Sequence, residues 1–472
     1  GIFDLSVPQG ADVLDVVARL RATGLVDFAE ENTIGVYLGG IPNDPMWGSL
    51  WHLENTGQSG GMVGADVSAL EAWGIEDGDP SVIVAVLDSG SDYTHPDLAA
   101  NMWTNPGEIP SNGIDDDANG YIDDVIGWDF NGSGDNDPQG SFTHGTWVAG
   151  TVAAVGNNGI GVVGLAGGGS DGAGVSVLNC NVGAFSPLAS ILDDAILYAA
   201  DHGARVITMS LTVGASAAID AAADYAWNTA GVYVDCATGN NGFSVGYPAS
   251  GPDIVGVGST NRFDNVSGFS GQGTECEYVA PGEDVLMTEL GGGYSTSSGT
   301  SFAAPHVAAL AGLMFSANPA LTNDQVHALI ADTCDDIGAS ANAQGAGRIN
   351  AKAALAAATG GILGSVEGYG TGLAGTNGVP IIATVGGTPV VGNGSFGILL
   401  RNGAPGALAY LMLGFAEVAL PFKGGTLLVD PDPPTLLVPL IVPGNGQILA
   451  PVPITSDPIV AGLEMFSQWV IQ

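Results

Sequence analysis

Short uninterrupted apolar runs recur through the middle of the chain: SVIVAVLD at 81–88, RVITMSL at 205–211, GVYVDCA at 231–237 and DIVGVGS at 253–259. Apolar residues on both alternations predict strands buried on two faces, the pattern of a parallel sheet. Between them lie Ala-rich stretches such as ASILDDAILYAADHG at 189–203, with apolar positions at helical spacing. Strands alternating with helices over 43–358 predict an α/β domain, a parallel sheet flanked by helices. Ahead of it, ADVLDVVARLRATG and NTIGVYL predict a small α+β unit over residues 1–42. After it, residues 361–472 carry almost no charge, much Gly and Pro, and runs such as PIIATVGG, TLLVD and LLVPLIV, which predict an all-β accessory domain.

One segment, GTSFAAPHVAAL at 299–310, joins a hydroxyl, a proline and a histidine to a run of small apolar residues. Ala303 to Leu313 predicts a buried helix, with Ser301 at or just before its start and Pro305 in the first turn, where a missing N–H costs nothing. A serine there is either an N-cap or a nucleophile placed beside the anion-favouring N–H groups of a helix start. Candidate partners stand at other element ends. Asp88 closes an apolar strand, His144 opens a small-residue helix in FTHGTWVAGTVAA, and Asn240 follows a strand in GVYVDCATGNNG. Each alone is explained by turn, cap or packing chemistry. Together they supply the four functions that acyl transfer needs: a nucleophile, a base, a carboxylate to orient the base, and an oxyanion donor.

Charge narrows the partners. Forty-nine acidic against eight basic residues give a net charge of −41 in a chain of 472 residues. Such a surface repels nucleic acid and anionic membranes and attracts cations. No apolar run is expected to cross a bilayer. The four cysteines, Cys180, Cys236, Cys276 and Cys334, form no CxxC, which argues against zinc or redox chemistry and leaves three disulfide pairings or buried thiols open.

The blocks AVLDSG, HGTWVAG, ATGNNG and GTSFAAPHVAAL, in that order across 43–358, resemble the signature blocks of the subtilisin-like serine proteases, or subtilases. The resemblance implies Ser301 as nucleophile, His144 as general base then acid, Asp88 as its orienting carboxylate, and Asn240 with the Ser301 N–H as oxyanion donors. It implies that a peptide lies along TMSLTVG as an added strand, touching Ser210, Leu211 and Thr212. Asn241 and Gly246 match the rim and floor of the first specificity pocket. Neither is charged, which favours a large apolar side chain before the scissile bond. Two departures stand out: Thr212 occupies a position where the family usually has glycine, narrowing access to that pocket, and Phe302 follows the serine where methionine is common. ARLRATGLVDFAEENTIGVYL resembles the second half of an inhibitory propeptide, so the chain's own residues 1–42 become an intramolecular partner cut off between Leu38 and Asn43. The propeptide-like start, with the acidity and the calcium loops described next, implies a secreted protein.

Two loops have the oxygen pattern of calcium sites. DDDANGYIDD at 115–124 resembles the first half of an EF-hand loop, with Asp115, Asp117, Asn119, the Tyr121 carbonyl and Asp123 or Asp124 as ligands, although Ile126 stands where the loop's glutamate belongs. HPDL and GNNGIGVVG resemble the subtilases' calcium loop, implying Asp97, Asn158 and the carbonyls of Gly156, Ile160 and Val162. Calcium there is structural. Two rival readings remain at this stage. An α/β-hydrolase esterase is disfavoured, because GTSFA lacks the second glycine of its motif and the order here is Asp, His, Ser. An inactive subtilase-like module for calcium binding or adhesion requires the three side chains to be idle.

Overall fold

The structure, a computed structural model, describes residues 41–359 apart from 133, 170–173, 185 and 186, and beyond them the backbone of eight strands between 381 and 471. The propeptide-like segment expected at the start lies outside the described residues. Seven strands build one sheet: β1 Ile83–Asp88, β2 Gly127–Asp129, β3 Ser176–Asn181, β4 Val206–Met209, β5 Tyr233–Ala237, β6 Val255–Thr260 and β7 Cys276–Pro281. Their order is β2-β3-β1-β4-β5-β6-β7, and every neighbouring pair is parallel. This is the α/β architecture that the uninterrupted apolar runs require. A hairpin of β8 Val285–Glu289 and β9 Gly293–Ser297 follows. The eight later strands, from Ile381–Val385 to Phe466–Ile471, pair antiparallel.

Alternate strand residues enter opposite cores. Val84 and Val86 of β1 join Val206, Tyr233 and Val257 on the face covered by helices α1 His144–Ala153 and α4 Thr300–Ala317. Ala85 and Leu87 join Cys180, Met209 and Val234 on the face covered by α2 Ala189–Asp201 and α3 Ala217–Asp224. The chain leaves β1, builds β3 and β2 on one side, then returns to place β4 on the other. A crevice therefore opens beyond the carboxyl ends of β1 and β4, where ligands bind in open α/β sheets.

Helix α4 departs from the sequence expectation in two ways. It begins at Thr300 with Gly299 as N-cap, so Ser301 lies inside the first turn and does not cap it, and Pro305 falls beyond that turn. With 18 residues and a mean hydropathy of 1.3 it also has the length and composition of a membrane span, contrary to the expectation that no run would reach them. Since 89% of it is buried against the sheet, it is the core helix of the domain. The four cysteines are free and buried, which removes all three disulfide pairings. Burial pushes the Cys276 thiol up to about 12, so it stays protonated and unreactive.

Candidate active site

Asp88 ends β1 at the crevice and His144 begins α1 beside it. The approach is close because residue 145 is glycine: a side chain there would collide with the Gly90 carbonyl. Ser89 Oγ accepts the Gly145 N–H at 2.9 Å and donates to the Phe142 carbonyl at 3.2 Å, stapling the helix start to the strand end. Across this junction His144 Nδ1 donates to Asp88 Oδ1 at 2.8 Å and lies 3.0 Å from Oδ2. A carboxylate only accepts, so Nδ1 carries the proton and Nε2 is the basic nitrogen. The ring stacks on Phe142 at 6.4 Å between centroids and packs against Phe302, the residue after Ser301, at 5.7 Å.

Burial is the largest influence on His144 and works against its charge. The Asp88 carboxylate, through its charge and its hydrogen bond, outweighs it and raises the imidazole above its ordinary value. A general base must be neutral, so the acid limb of kcat/KM should have its midpoint above the ordinary histidine value of about 6.5. Stability moves the other way. The raised pKa makes the protonated pair stabilising below the unfolded value, and that contribution is lost as pH rises through the folded one. A pH–rate profile with its acid midpoint at or below 6.5 would refute the assignment.

Ser301 sits 8% exposed in the first turn of α4. Its hydroxyl donates to the Ser210 carbonyl at 3.3 Å, and the Ser210 hydroxyl donates to the Ser301 carbonyl at 2.7 Å. Asn240 comes just after β5. Its Oδ1 accepts the Thr300 N–H at 2.9 Å and the Thr300 hydroxyl at 3.0 Å, while that hydroxyl accepts the Gly239 N–H at 3.1 Å. With its oxygen fixed by two donors, Asn240 turns its NH2 group outward beside Gly299 and the helix start. Nearby N–H groups at this helix start are spoken for: Thr300's by Asn240, and Phe302's by the Gly299 carbonyl at 3.0 Å. Ser301's own N–H lies between them. A carbonyl carbon placed at Ser301 Oγ would put its oxygen among these donors.

The expected substrate strand borders the same crevice. Leu211 packs its side chain against the core on the α2 face, and its carbonyl accepts the Cys236 thiol at 3.5 Å. A methyl of Thr212 stands against Gly246 and Gly239, close enough that a side chain at residue 246 would collide with it. Asn241 spends its side chain on its own loop, accepting from Phe243 and Ser244 N–H groups and donating to the Ser244 carbonyl. Next to Thr212 lies an open pocket of about 540 Å³ lined by Pro187, Leu188, Ala189, Val213, Gly214 and Ala215. Sequence reasoning missed its Pro187–Ala189 wall because that wall belongs to a connection distant in sequence.

The cation candidates regroup. Asp97 Oδ1 accepts from Asn158 Nδ2 at 2.6 Å and Oδ2 from the Val162 N–H at 2.9 Å. Gly156, Ile160 and Val162 belong to the loop around it, and Asn158 Oδ1 accepts the Ile160 N–H at 2.8 Å. An unexpected carboxylate joins them: Asp44 takes the Asn157 N–H on Oδ2 at 2.9 Å, while its Oδ1 is buried without a hydrogen-bond partner. Burial first, and the charge of Asp44 among the further causes, raises the Asp97 carboxyl. Two buried carboxylates with an unsatisfied oxygen fit a hard cation. In the second loop Asp115 and Asp117 meet Glu108, which supplies the acidic group missing at Ile126. Asp117 also meets Asp124 and His202. His202 Nδ1 donates to the Tyr198 carbonyl at 2.7 Å, and its Nε2 lies 3.3 Å from Asp124 Oδ2. Asn119 reaches Asp117 and Asp124 through its amide, and Tyr121 donates its N–H to Asn119. Asp123, at a φ of 56°, accepts the Asn112 and Gly113 N–H groups, and of the pair Asp123 or Asp124 it is Asp124 that meets Asp117 and His202.

Comparison with known proteins agrees with this geometry. The model of the subtilase family matches residues 79–347. The thermophilic serine proteinase of Bacillus sp. (strain AK1) is 35% identical over 349 residues, covering 73% of this chain and 76% of that protein. Thermitase of Thermoactinomyces vulgaris is 36% identical over 317 residues, 66% of this chain and 99% of that protein. The halolysin-like extracellular serine protease Nep of Natrialba magadii is 34% identical over 334 residues, 70% of this chain and 55% of that protein. A solved structure described as proteases from Pseudoalteromonas arctica superposes with a TM-score of 0.56 at 29% identity, over 68% of this chain and all of that one.

Proposed function

The chain belongs to the subtilase family of serine proteases and is thus a hydrolase, and from that premise we propose that it is a secreted endopeptidase working through Asp88, His144 and Ser301. The observation that carries the reading is the bond from His144 Nδ1 to Asp88 at 2.8 Å, beside a helix that carries Ser301 at its start. Ser301 Oγ attacks the peptide carbonyl, His144 Nε2 takes its proton and later gives it to the leaving amine, and Asp88 steadies the imidazolium between the two steps. Water then releases the acyl group by the same path in reverse. Asn240 Nδ2 and the Ser301 N–H hold the oxyanion. Asn240→Ala should lower kcat about 100- to 1000-fold with KM little changed, the size known for the matching donor of a subtilisin. A loss below about fivefold would remove Asn240 from that role.

A peptide adds as a strand beside Ser210, Leu211 and Thr212. Asn241 and Gly246 carry no charge, which suits broad specificity with a large apolar side chain before the scissile bond, and the Thr212 methyl beside Gly246 narrows access to that pocket. The apolar pocket beside Leu188 suits a residue farther from that bond. We assign residues 43–358 to the catalytic domain, 1–42 to the remnant of an inhibitory propeptide and 361–472 to a β-rich accessory domain. Calcium is held by Asp44, Asp97, Asn158 and the carbonyls of Gly156, Ile160 and Val162, and a second ion by the cluster of Glu108, Asp115, Asp117, Asn119, Asp124 and the Tyr121 carbonyl; both are structural. The extracellular description of the Nep relative supports secretion. A serine-directed fluorophosphonate tests the whole reading. Wild type should take one label per molecule and Ser301→Ala none, whereas an unlabelled, folded wild type would mark an inactive calcium-binding or adhesion module.

A further inference from the structure

Pro305 is the sixth residue of α4, beyond the first turn. At such a place a proline acts on the carbonyl four residues back, withholding the helical N–H and crowding it with its ring. That carbonyl belongs to Ser301. It is not left unsatisfied, because the Ser210 hydroxyl donates to it at 2.7 Å. The neighbouring carbonyl, of Phe302, also takes a side-chain donor, His306 Nδ1 at 2.7 Å. Ser210 and Ser301 are both buried, and the reverse bond from Ser301 Oγ to the Ser210 carbonyl makes the contact reciprocal.

We propose that Ser210 is a positioning residue whose hydroxyl replaces the hydrogen bond that Pro305 withholds, locking the backbone of Ser301 to the strand against which substrate lies. The inference rests on Ser301 being the nucleophile. Its physical content is registration. Ser210 immediately follows β4, and its main chain borders the peptide, so one residue ties the substrate's frame to the attacking atom's. A buried carbonyl deprived of this donor would lose a strong partner and tilt away, carrying the first turn of α4 with it. Displacements near 1 Å cost on the order of 100-fold in rate when reacting groups must be aligned.

The test is a double-mutant cycle read as kcat and KM, with active-site concentration fixed by fluorophosphonate titration and folding checked by thermal midpoint. Ser210→Ala should lower kcat roughly 10- to 100-fold with KM within about twofold, since the substrate contact is through main chain. Ser210→Thr, which keeps a hydroxyl, should recover most of the loss. Pro305→Ala restores an N–H four residues after Ser301, so in that background Ser210→Ala should cost less than about threefold in kcat. A Ser210→Ala enzyme with undiminished kcat overturns the proposal. So does an equal loss with and without Pro305, because the two groups would then not serve the same carbonyl. A wild type that takes no label overturns the proteolytic reading itself, an outcome distinct from either of these.

Discussion

Ser301→Ala should lower kcat on peptide substrates about a million-fold, His144→Ala about as much, and the two together no more than either alone. These magnitudes are those of subtilisin, a member of the same family. The non-additivity is the informative part. The hydroxyl gains nucleophilicity only through the imidazole, and the imidazole has no other proton to take, so removing one makes the other idle. Asp88→Asn should cost about ten-thousand-fold, because an amide facing Nδ1 permits the wrong tautomer and withdraws the charge that raises His144. Residual catalysis of about a thousand-fold over water should persist in the serine and histidine variants, supplied by Asn240 and the helix start, and about a hundred times more in Asp88→Asn. Single-turnover kinetics with an activated ester check the series. Retention of more than about one per cent by Ser301→Ala, or losses that multiply in the double variant, would mean that the serine and histidine do not act as a unit.

The features readable from the chain were those that short-range rules govern. Apolar runs on both alternations announce β1, β4, β5 and β6, and the four ordered blocks announce the family. What escaped was decided by side-chain direction or by contacts between distant segments. Asp123 and Asp124 are adjacent and chemically identical, yet the positive φ of Asp123 sends one to a turn and leaves the other in the cluster. Glu108 and His202 reach that cluster from outside the acidic run, and Asp44 reaches Asp97 across more than fifty residues, so no local spacing marked them. Ser301 has the chemistry of a cap and so predicts a helix that starts after it, with Pro305 in the first turn, whereas the observed cap, Gly299, carries no side-chain signal and sets Pro305 beyond that turn.

Chelation should produce the largest change in stability. A cation bound only by the folded state stabilises it by about 4 kcal/mol per site when present at a thousand times its dissociation constant. Two such sites would contribute about 8 kcal/mol, and in a domain of this size each kcal/mol moves the melting temperature by roughly 2–4 °C, so on the proposed reading excess EDTA should lower it by about 15–30 °C. The melts belong in the Ser301→Ala background, where self-digestion cannot mimic unfolding. Asp97→Asn should remove one share of the effect and Asp124→Asn the other, each variant melting below wild type in calcium and responding less to EDTA. Asp44→Asn separates the first site from a mere turn. Its Oδ1 is buried without a partner, so if no cation sits there the neutral amide should be tolerated or stabilising, whereas a calcium ligand should lose most of the Asp97 share. An unchanged melting temperature in EDTA would count against both sites. It would also imply that the buried Asp44 and Asp97 pair is held by proton uptake, the direction in which burial already drives both carboxyls.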